Sequence, residues 1–165
     1  MDIDVVVEIP KGSRNKYEYD PAVDRIRLDR RIFSSTGYPT DYGFVPDTLA
    51  EDDDPIDACV LLDEPTFPGC VVRARVIAVF WMRDEAGPDA KLLCVPASDP
   101  RHAHLQDLAD VPWYQITEIW HFFNIYKALE PNKHSETTRG WEKRREAEAA
   151  VEDARRRFAQ QLAPA

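Results

Sequence analysis

The chain has 165 residues, 44% hydrophobic and 31% charged, which is enough to bury one core under a charged surface, so a single domain over 1–165 is expected. A formal net charge of −9, from 30 acidic against 21 basic residues, excludes the basic footprint on which general nucleic-acid affinity rests. No apolar run approaches the roughly 20 residues of a membrane helix, and the acidic start Met1-Asp2-Ile3-Asp4 lacks a signal-peptide pattern. A cytoplasmic protein without membrane or nucleic-acid partners is therefore expected.

Ile3, Val5, Val7 and Ile9 alternate with Asp4, Val6 and Glu8, predicting a strand whose Glu8 faces away from the apolar row. Pro10-Lys11-Gly12-Ser13 reads as a turn. Lys16-Tyr17-Glu18-Tyr19 alternates again, so Lys16 and Glu18 share a face. Arg25 to Arg30 makes a third alternating strand. A loop rich in Gly, Pro and Thr is expected from Ser34 through Gly43, followed by the acidic stretch Glu51 to Asp57. Val60 to Leu62 is a short apolar strand. Val71 to Met82 is a long β-branched one, paired with Lys91 to Val95 across the Gly-Pro turn Asp84–Asp89.

The last third changes period. Asp110 and Pro112 signal a helix start, with Ile116, Ile119, Trp120, Phe123 and Tyr126 or Lys127 at helical spacing. A second helix is expected from about Trp141 to Leu162, with Ala147, Val151, Ala154, Phe158 and Leu162 as its stripe. Strands first and helices afterward predict an α+β fold with the sheet closed into a barrel. Cys59, Cys70 and Cys94 are odd in number and widely spaced, which reads as buried free thiols and not as a zinc site or a disulfide framework.

Asp52-Asp53-Asp54-Pro55-Ile56-Asp57 carries the densest chemical signal. Pro55 blocks a helix and keeps Asp54 extended, so Asp52 and Asp54 point the same way. Carboxylates this close repel one another unless solvent or a cation intervenes. Hard divalent cations take oxygen ligands, and magnesium commonly shares carboxylates with phosphate groups. The competing readings are a solvated acidic loop and an EF-hand. The latter fails at Asp57, where the loop requires glycine. Asp84 and Asp89 bracket a turn that could bring both to one mouth of the sheet, and Glu8 and Glu18 lie on strands.

Lys16, Arg30, Lys91, Lys127 and Lys133 are candidate phosphate-binding cations, with Tyr42 and Tyr126 as hydroxyl donors. Singly, each has an ordinary structural role open to it. His102 and His104 form an H-x-H pair expected at the surface, His121 is expected to pack on its helix, and His134 is expected to be exposed. No Walker loop, dinucleotide-binding glycine pattern or Ser-His-Asp arrangement is present.

The run Asp52-Asp53-Asp54-Pro55-Ile56-Asp57-Ala58 resembles the D-x-D-P-x-D signature of the family I soluble inorganic pyrophosphatases. Glu8-Ile9-Pro10-Lys11-Gly12, Asn15-Lys16-Tyr17-Glu18, Asp29-Arg30, Tyr38-Pro39 with Asp41-Tyr42-Gly43, Asp84-Glu85-Ala86-Gly87 with Asp89-Ala90-Lys91, and His121-Phe122-Phe123 with Tyr126-Lys127 are similar to family blocks in their order. The resemblance covers roughly residues 1 to 145. It implies a small OB-like barrel with two flanking helices, a prokaryotic-type homo-oligomer (a hexamer), and magnesium-dependent hydrolysis of pyrophosphate by a metal-activated water, with several Mg2+ per site and Mn2+ as an alternative.

By position, Asp52, Asp57, Asp84 and Asp89 would hold metal, with Glu8 and Glu18 completing the cluster. Lys16, Arg30, Tyr42, Tyr126 and Lys127 would contact pyrophosphate, helped by Lys91 and Lys133. Asp54 or Asp89 would accept the water's proton. After Lys133 the chain departs from the family with His134-Ser135-Glu136, at the rim of the substrate pocket. The rival readings are a metal-dependent nucleotide phosphohydrolase, which would need a base-stacking surface or a basic track; a non-catalytic OB-type binding module, which leaves the carboxylates unexplained; and a calcium-binding structural domain, which leaves the lysines, arginine and tyrosines unexplained.

Overall fold

The computed structural model describes residues 1–163. In chain order the elements are β1 (Asp2–Ile9), β2 (Asn15–Asp20), β3 (Arg25–Arg31), β4 (Asp41–Phe44), β5 (Asp57–Val60), β6 (Val71–Asp84), β7 (Pro88–Pro96), α1 (Trp113–Ile125), β8 (Ser135–Lys143) and α2 (Arg144–Leu162).

Neighbouring strands run β1-β4-β5-β7-β6, and β6 pairs back with β1, so the sheet closes into a five-stranded ring. Strand β1 makes this possible by serving two partners. Its Asp2–Val6 half pairs antiparallel with Val71–Arg75 of β6, and its Val6–Ile9 half with Tyr42–Phe44 of β4. Closure leaves few unpaired backbone edges. The free half of β6 takes β8 as a sixth strand, while β2 and β3 form a separate two-stranded ribbon. The architecture is the expected α+β, OB-like ring with two flanking helices.

Period-2 alternation divides the apolar residues between two clusters. Cys59, Phe80, Met82, Leu93 and Val95 pack with Ile119, Phe122 and Phe123 of α1. Ala58, Val60, Val79, Leu92 and Cys94 pack with Ala147, Ala150, Val151 and Ala154 of α2. A bulge between Val76 and Ala78 lets Ile77 and Ala78 both face the first cluster. Where β1 and β4 meet, Gly43 has no substitute: a Cβ there would lie 1.9 Å from the Val6 carbonyl oxygen.

Several expectations need correction. Asp41–Phe44 is a strand, not the end of a loop. It is buried on both faces, so it lacks the half-exposed alternation that marks a strand. Strand β5 starts at Asp57, earlier than Val60, and ends at Val60. Ser135–Lys143 is an unforeseen edge strand, so the C-terminal helix expected over about 141–162 begins at Arg144. Its Ala147, Val151 and Ala154 are buried, but Phe158 is only half-buried and Leu162 is exposed. Finally, Cys70 is half-buried whereas Cys59 and Cys94 are buried; His102 is buried, and His121 is exposed.

Candidate active site

The alternation that builds the α1-side cluster also builds the site. Along β5 the sequence Asp57, Cys59 and along β7 the sequence Asp89, Lys91, Leu93, Val95 keep to one face, apolar at depth and charged at the mouth. On β6, Phe80 and Met82 precede Asp84 in the same way. Asp57 and Lys91 are opposite one another on the parallel pair β5–β7, and Tyr42 reaches the same place from β4.

Lys91 is buried at the centre. Its Nζ donates to Asp57 Oδ2 at 2.7 Å, to both Asp89 oxygens at 2.7 Å, and to Tyr42 Oη at 2.8 Å. Tyr42 in turn donates to Asp57 Oδ2. Burial would lower the Lys91 pKa, but Asp57 and Asp89 raise it well above the ordinary lysine value, so it stays charged. Burial also lifts the phenols, Tyr42 well above its ordinary value and Tyr126 to about 12, which keeps both as hydrogen-bond donors.

A second group forms beside it. Lys127, just past the end of α1, donates to Asp84 Oδ2 at 2.7 Å and to both Glu85 oxygens at 3.0 and 3.1 Å. Burial pushes Asp84 up, yet the Lys127 bond, the Ala86 N–H and the charges of Lys127 and Lys91 together offset it and hold the carboxyl below its usual range. Lys133 stands 3.9 Å from Glu85 and from Glu130.

The β2–β3 ribbon brings the third. Lys16 pairs with Glu18 and lies 3.7 Å from Asp29. Arg30 is opposite Lys16 in the ribbon and pairs with Asp29 and Glu130. The ribbon is tied to the ring by Glu8, which accepts from the Tyr19 backbone N–H at 2.7 Å.

The acids that remain carry excess negative charge. Glu8 is pushed up to about 7, first by burial and then by Asp57, against the Tyr19 hydrogen bond and Lys16. Asp52 rises to about 6 through burial and through Asp89, Asp57 and Asp54. Asp54 is raised by burial, Asp57 and Glu18, and Asp89 by burial against Lys91. These groups feel one another, so the candidates from β1, β2, β5, β7 and the acidic loop share one electrostatic site. Asp53 takes a left-handed φ of 69° in the turn that presents Asp52 and Asp54. Among the described residues, no three of His, Cys, Asp or Glu already close around one point as a metal cage. The donor set nevertheless fits a hard divalent cation: every donor is an oxygen, and the carboxylates are held near one another at a protonation cost that a cation would relieve.

Two acids near the site escaped the sequence reading. Glu130 clasps Arg30 across 100 residues of chain and has no spacing that marks it, while Glu85 accepts from Lys127 and stands in the Asp84–Gly87 block without a role assigned there. Conversely, Asp41 at the start of β4 is structural. Fully buried, it accepts from the Lys11 backbone at 2.8 Å, the Thr66 backbone at 2.9 Å and the Thr66 hydroxyl.

A ring-shaped sheet whose charged mouth interleaves hard oxygen donors with phosphate-binding cations is the architecture of a phosphoryl hydrolase. Comparison with known proteins narrows this. The Pyrophosphatase family, described as inorganic pyrophosphatase, matches residues 5–159. An inorganic pyrophosphatase of Streptomyces coelicolor is 60% identical over 161 residues, 98% of each chain, and one of Methanosarcina mazei is 48% identical, covering 95% of this chain and 92% of that one. The crystal structure of inorganic pyrophosphatase from Thermus thermophilus superposes with a TM-score of 0.93 at 47% identity, over 96% of this chain and 91% of that one. The Helicobacter pylori enzyme superposes with a TM-score of 0.93 at 40% identity, over 96% and 94%. The chain belongs to the inorganic pyrophosphatase family.

Proposed function

We propose that the chain hydrolyses inorganic pyrophosphate to two orthophosphates at the mouth of the β5–β7 pair, with magnesium as its metal. The observation that carries this is the Lys91 junction, where a buried cation joins Asp57, Asp89 and Tyr42 amid carboxylates pushed toward protonation.

Asp52, Asp57, Asp84 and Asp89, with Glu8 and Glu18, are the residues that would hold magnesium, or manganese in its place. Bound there, the metal supplies Lewis-acid polarisation of phosphoryl oxygens and a lowered water pKa. Lys16, Arg30, Lys91, Lys127, Tyr42 and Tyr126 supply N–H and O–H donors for the substrate oxygens and for the charge that develops on the departing phosphate. Lys133 extends this set at the rim.

Asp54 is favoured over Asp89 as the group that accepts the attacking water's proton. Both Asp89 oxygens are engaged by Lys91, whereas the Asp54 carboxylate accepts no hydrogen bond among the described residues, is exposed, and has a raised pKa suited to a base.

No helix among the described residues is long and apolar enough to cross a membrane. A cytoplasmic, single-domain protein over residues 1–165 is the reading we adopt, without nucleic-acid partners at a net charge of −9. A homo-hexamer is supported by the family resemblance and by exposed Trp113, Tyr114 and Leu129.

Phosphate release from pyrophosphate, ATP and DNA, each with magnesium and with EDTA, tests the proposal. Magnesium-dependent release from pyrophosphate far above the other two is expected. Equal release from ATP would favour a nucleotide phosphohydrolase, and none from any of them a binding module.

A further inference from the structure

We infer that Glu130 is a positioning residue for substrate binding, fixing Arg30 so that its free edge faces the site. The inference rests on the reading of Arg30 as a pyrophosphate ligand given above.

Glu130 lies on the segment that follows α1, between Lys127 and Lys133, and its side chain is only 6% exposed. Arg30 lies on the ribbon strand β3, most of whose residues are exposed, Leu28 at 58%. The two meet as a fork. Arg30 Nε donates to Glu130 Oε2 at 2.8 Å, and Nη2 donates to Oε1 at 3.1 Å. Nη1 donates to Asp29.

A guanidinium has five N–H groups in one plane. Glu130 takes the Nε edge and Asp29 takes one hydrogen of Nη1, which leaves one N–H on each terminal nitrogen. With Asp29 on the Nη1 hydrogen beside Cδ, these are the end-on pair that a phosphoryl group accepts bidentately. Because Glu130 is nearly buried, the fork has one orientation to hold. Without it the long Arg30 side chain regains its rotamers, and the ribbon loses a charged tie to the body of the protein. A phosphate ligand must then reorder the arginine as it binds, so the loss falls on substrate affinity.

A lysine at position 30 could not reproduce this, since it has no planar edge for Glu130 to hold. A glutamine at 130 keeps the size and one acceptor but loses the charge and the second acceptor.

The test is steady-state kinetics of Arg30→Ala, Glu130→Gln and the double variant with magnesium pyrophosphate, with unfolding curves to verify that each folds. Glu130→Gln is expected to raise KM about tenfold, the scale of a lost charge-assisted hydrogen bond, with kcat within about threefold. Arg30→Ala is expected to raise KM at least as much. In the Arg30→Ala background the Glu130→Gln change is expected to add nothing, a coupling that a merely structural glutamate would not show. If Arg30→Ala raises KM and Glu130→Gln does not, or if the two effects simply add, the positioning role is overturned while the site assignment stands. If Arg30→Ala leaves KM unchanged, Arg30 is no substrate ligand, and both readings fall.

Discussion

Asp57 and Lys91 face each other across the parallel strands β5 and β7, joined by a 2.7 Å bond from Nζ to Oδ2, with Asp89 completing the pair two residues before Lys91. One buried ammonium therefore holds two carboxylates that would otherwise repel. Removing it leaves the buried Asp89 without its donor and Asp57 with Tyr42 alone. Lys91→Ala is predicted to destabilise the metal-free protein by about 3 kcal/mol or more. Added magnesium should restore part of this by replacing the lost positive charge. Thermal unfolding with EDTA and with magnesium measures both effects; a metal-free variant as stable as the parent would contradict the geometry.

Asp57 touches Lys91 and Tyr42 through one oxygen, so its loss should strike chemistry more than folding. Asp57→Asn is isosteric and still accepts from both partners. It is predicted to reduce magnesium-dependent turnover roughly 100-fold or more while the unfolding temperature changes little. Near-parental turnover would remove Asp57 from the metal set.

The raised acids give the metal-free protein a defined pH response. Glu8 titrates at about 7 in the folded state against 4.5 in a free chain, and Asp52 at about 6 against 3.8. The folded state thus binds these protons more tightly than the unfolded one. Their stabilising contribution is complete below the free-chain values and is lost as pH rises through 6 and 7. With EDTA, unfolding temperature is predicted to fall between pH 5.5 and 8, by this contribution. Magnesium should stabilise more at pH 8 than at pH 6, since it competes with those protons. Equal magnesium shifts at both pH values would refute the coupling.

Gly43 makes a purely structural prediction. A Cβ there would meet the Val6 carbonyl at 1.9 Å, with backbone and not a movable side chain in the way. Gly43→Ala is predicted to cost about 3 kcal/mol or more, read as a lower denaturation midpoint. Because β4 carries Tyr42, the folded fraction should also lose affinity for pyrophosphate.

Much of this was legible in the residues because it is periodic or local. The alternation of Ile3 to Ile9, the long β-branched run of β6, and the helical spacing of α1 each announce an element whose one face is buried. The acidic run announces itself by density. What stayed hidden depends on the third dimension. Strand β4 is buried on both sides and carries Gly43, so it reads as a loop. Strand β8, Ser135–Lys143, is an edge strand whose polar, half-exposed residues carry no apolar alternation. Glu130 is an ordinary glutamate until folding brings it to Arg30. His102 looked like a surface histidine, yet it is buried with its ring nitrogens 3.4 Å from Asp99 and 3.7 Å from Asp63.

The most direct measurement is a crystal grown with manganese and a non-hydrolysable pyrophosphate analogue, read by anomalous scattering. We predict manganese peaks among Asp52, Asp57, Asp84 and Asp89, with the analogue's oxygens reached by Lys16, Arg30 and Lys127. Anomalous peaks confined to the outer surface, with those aspartates turned into solvent and the analogue unbound, would contradict the account.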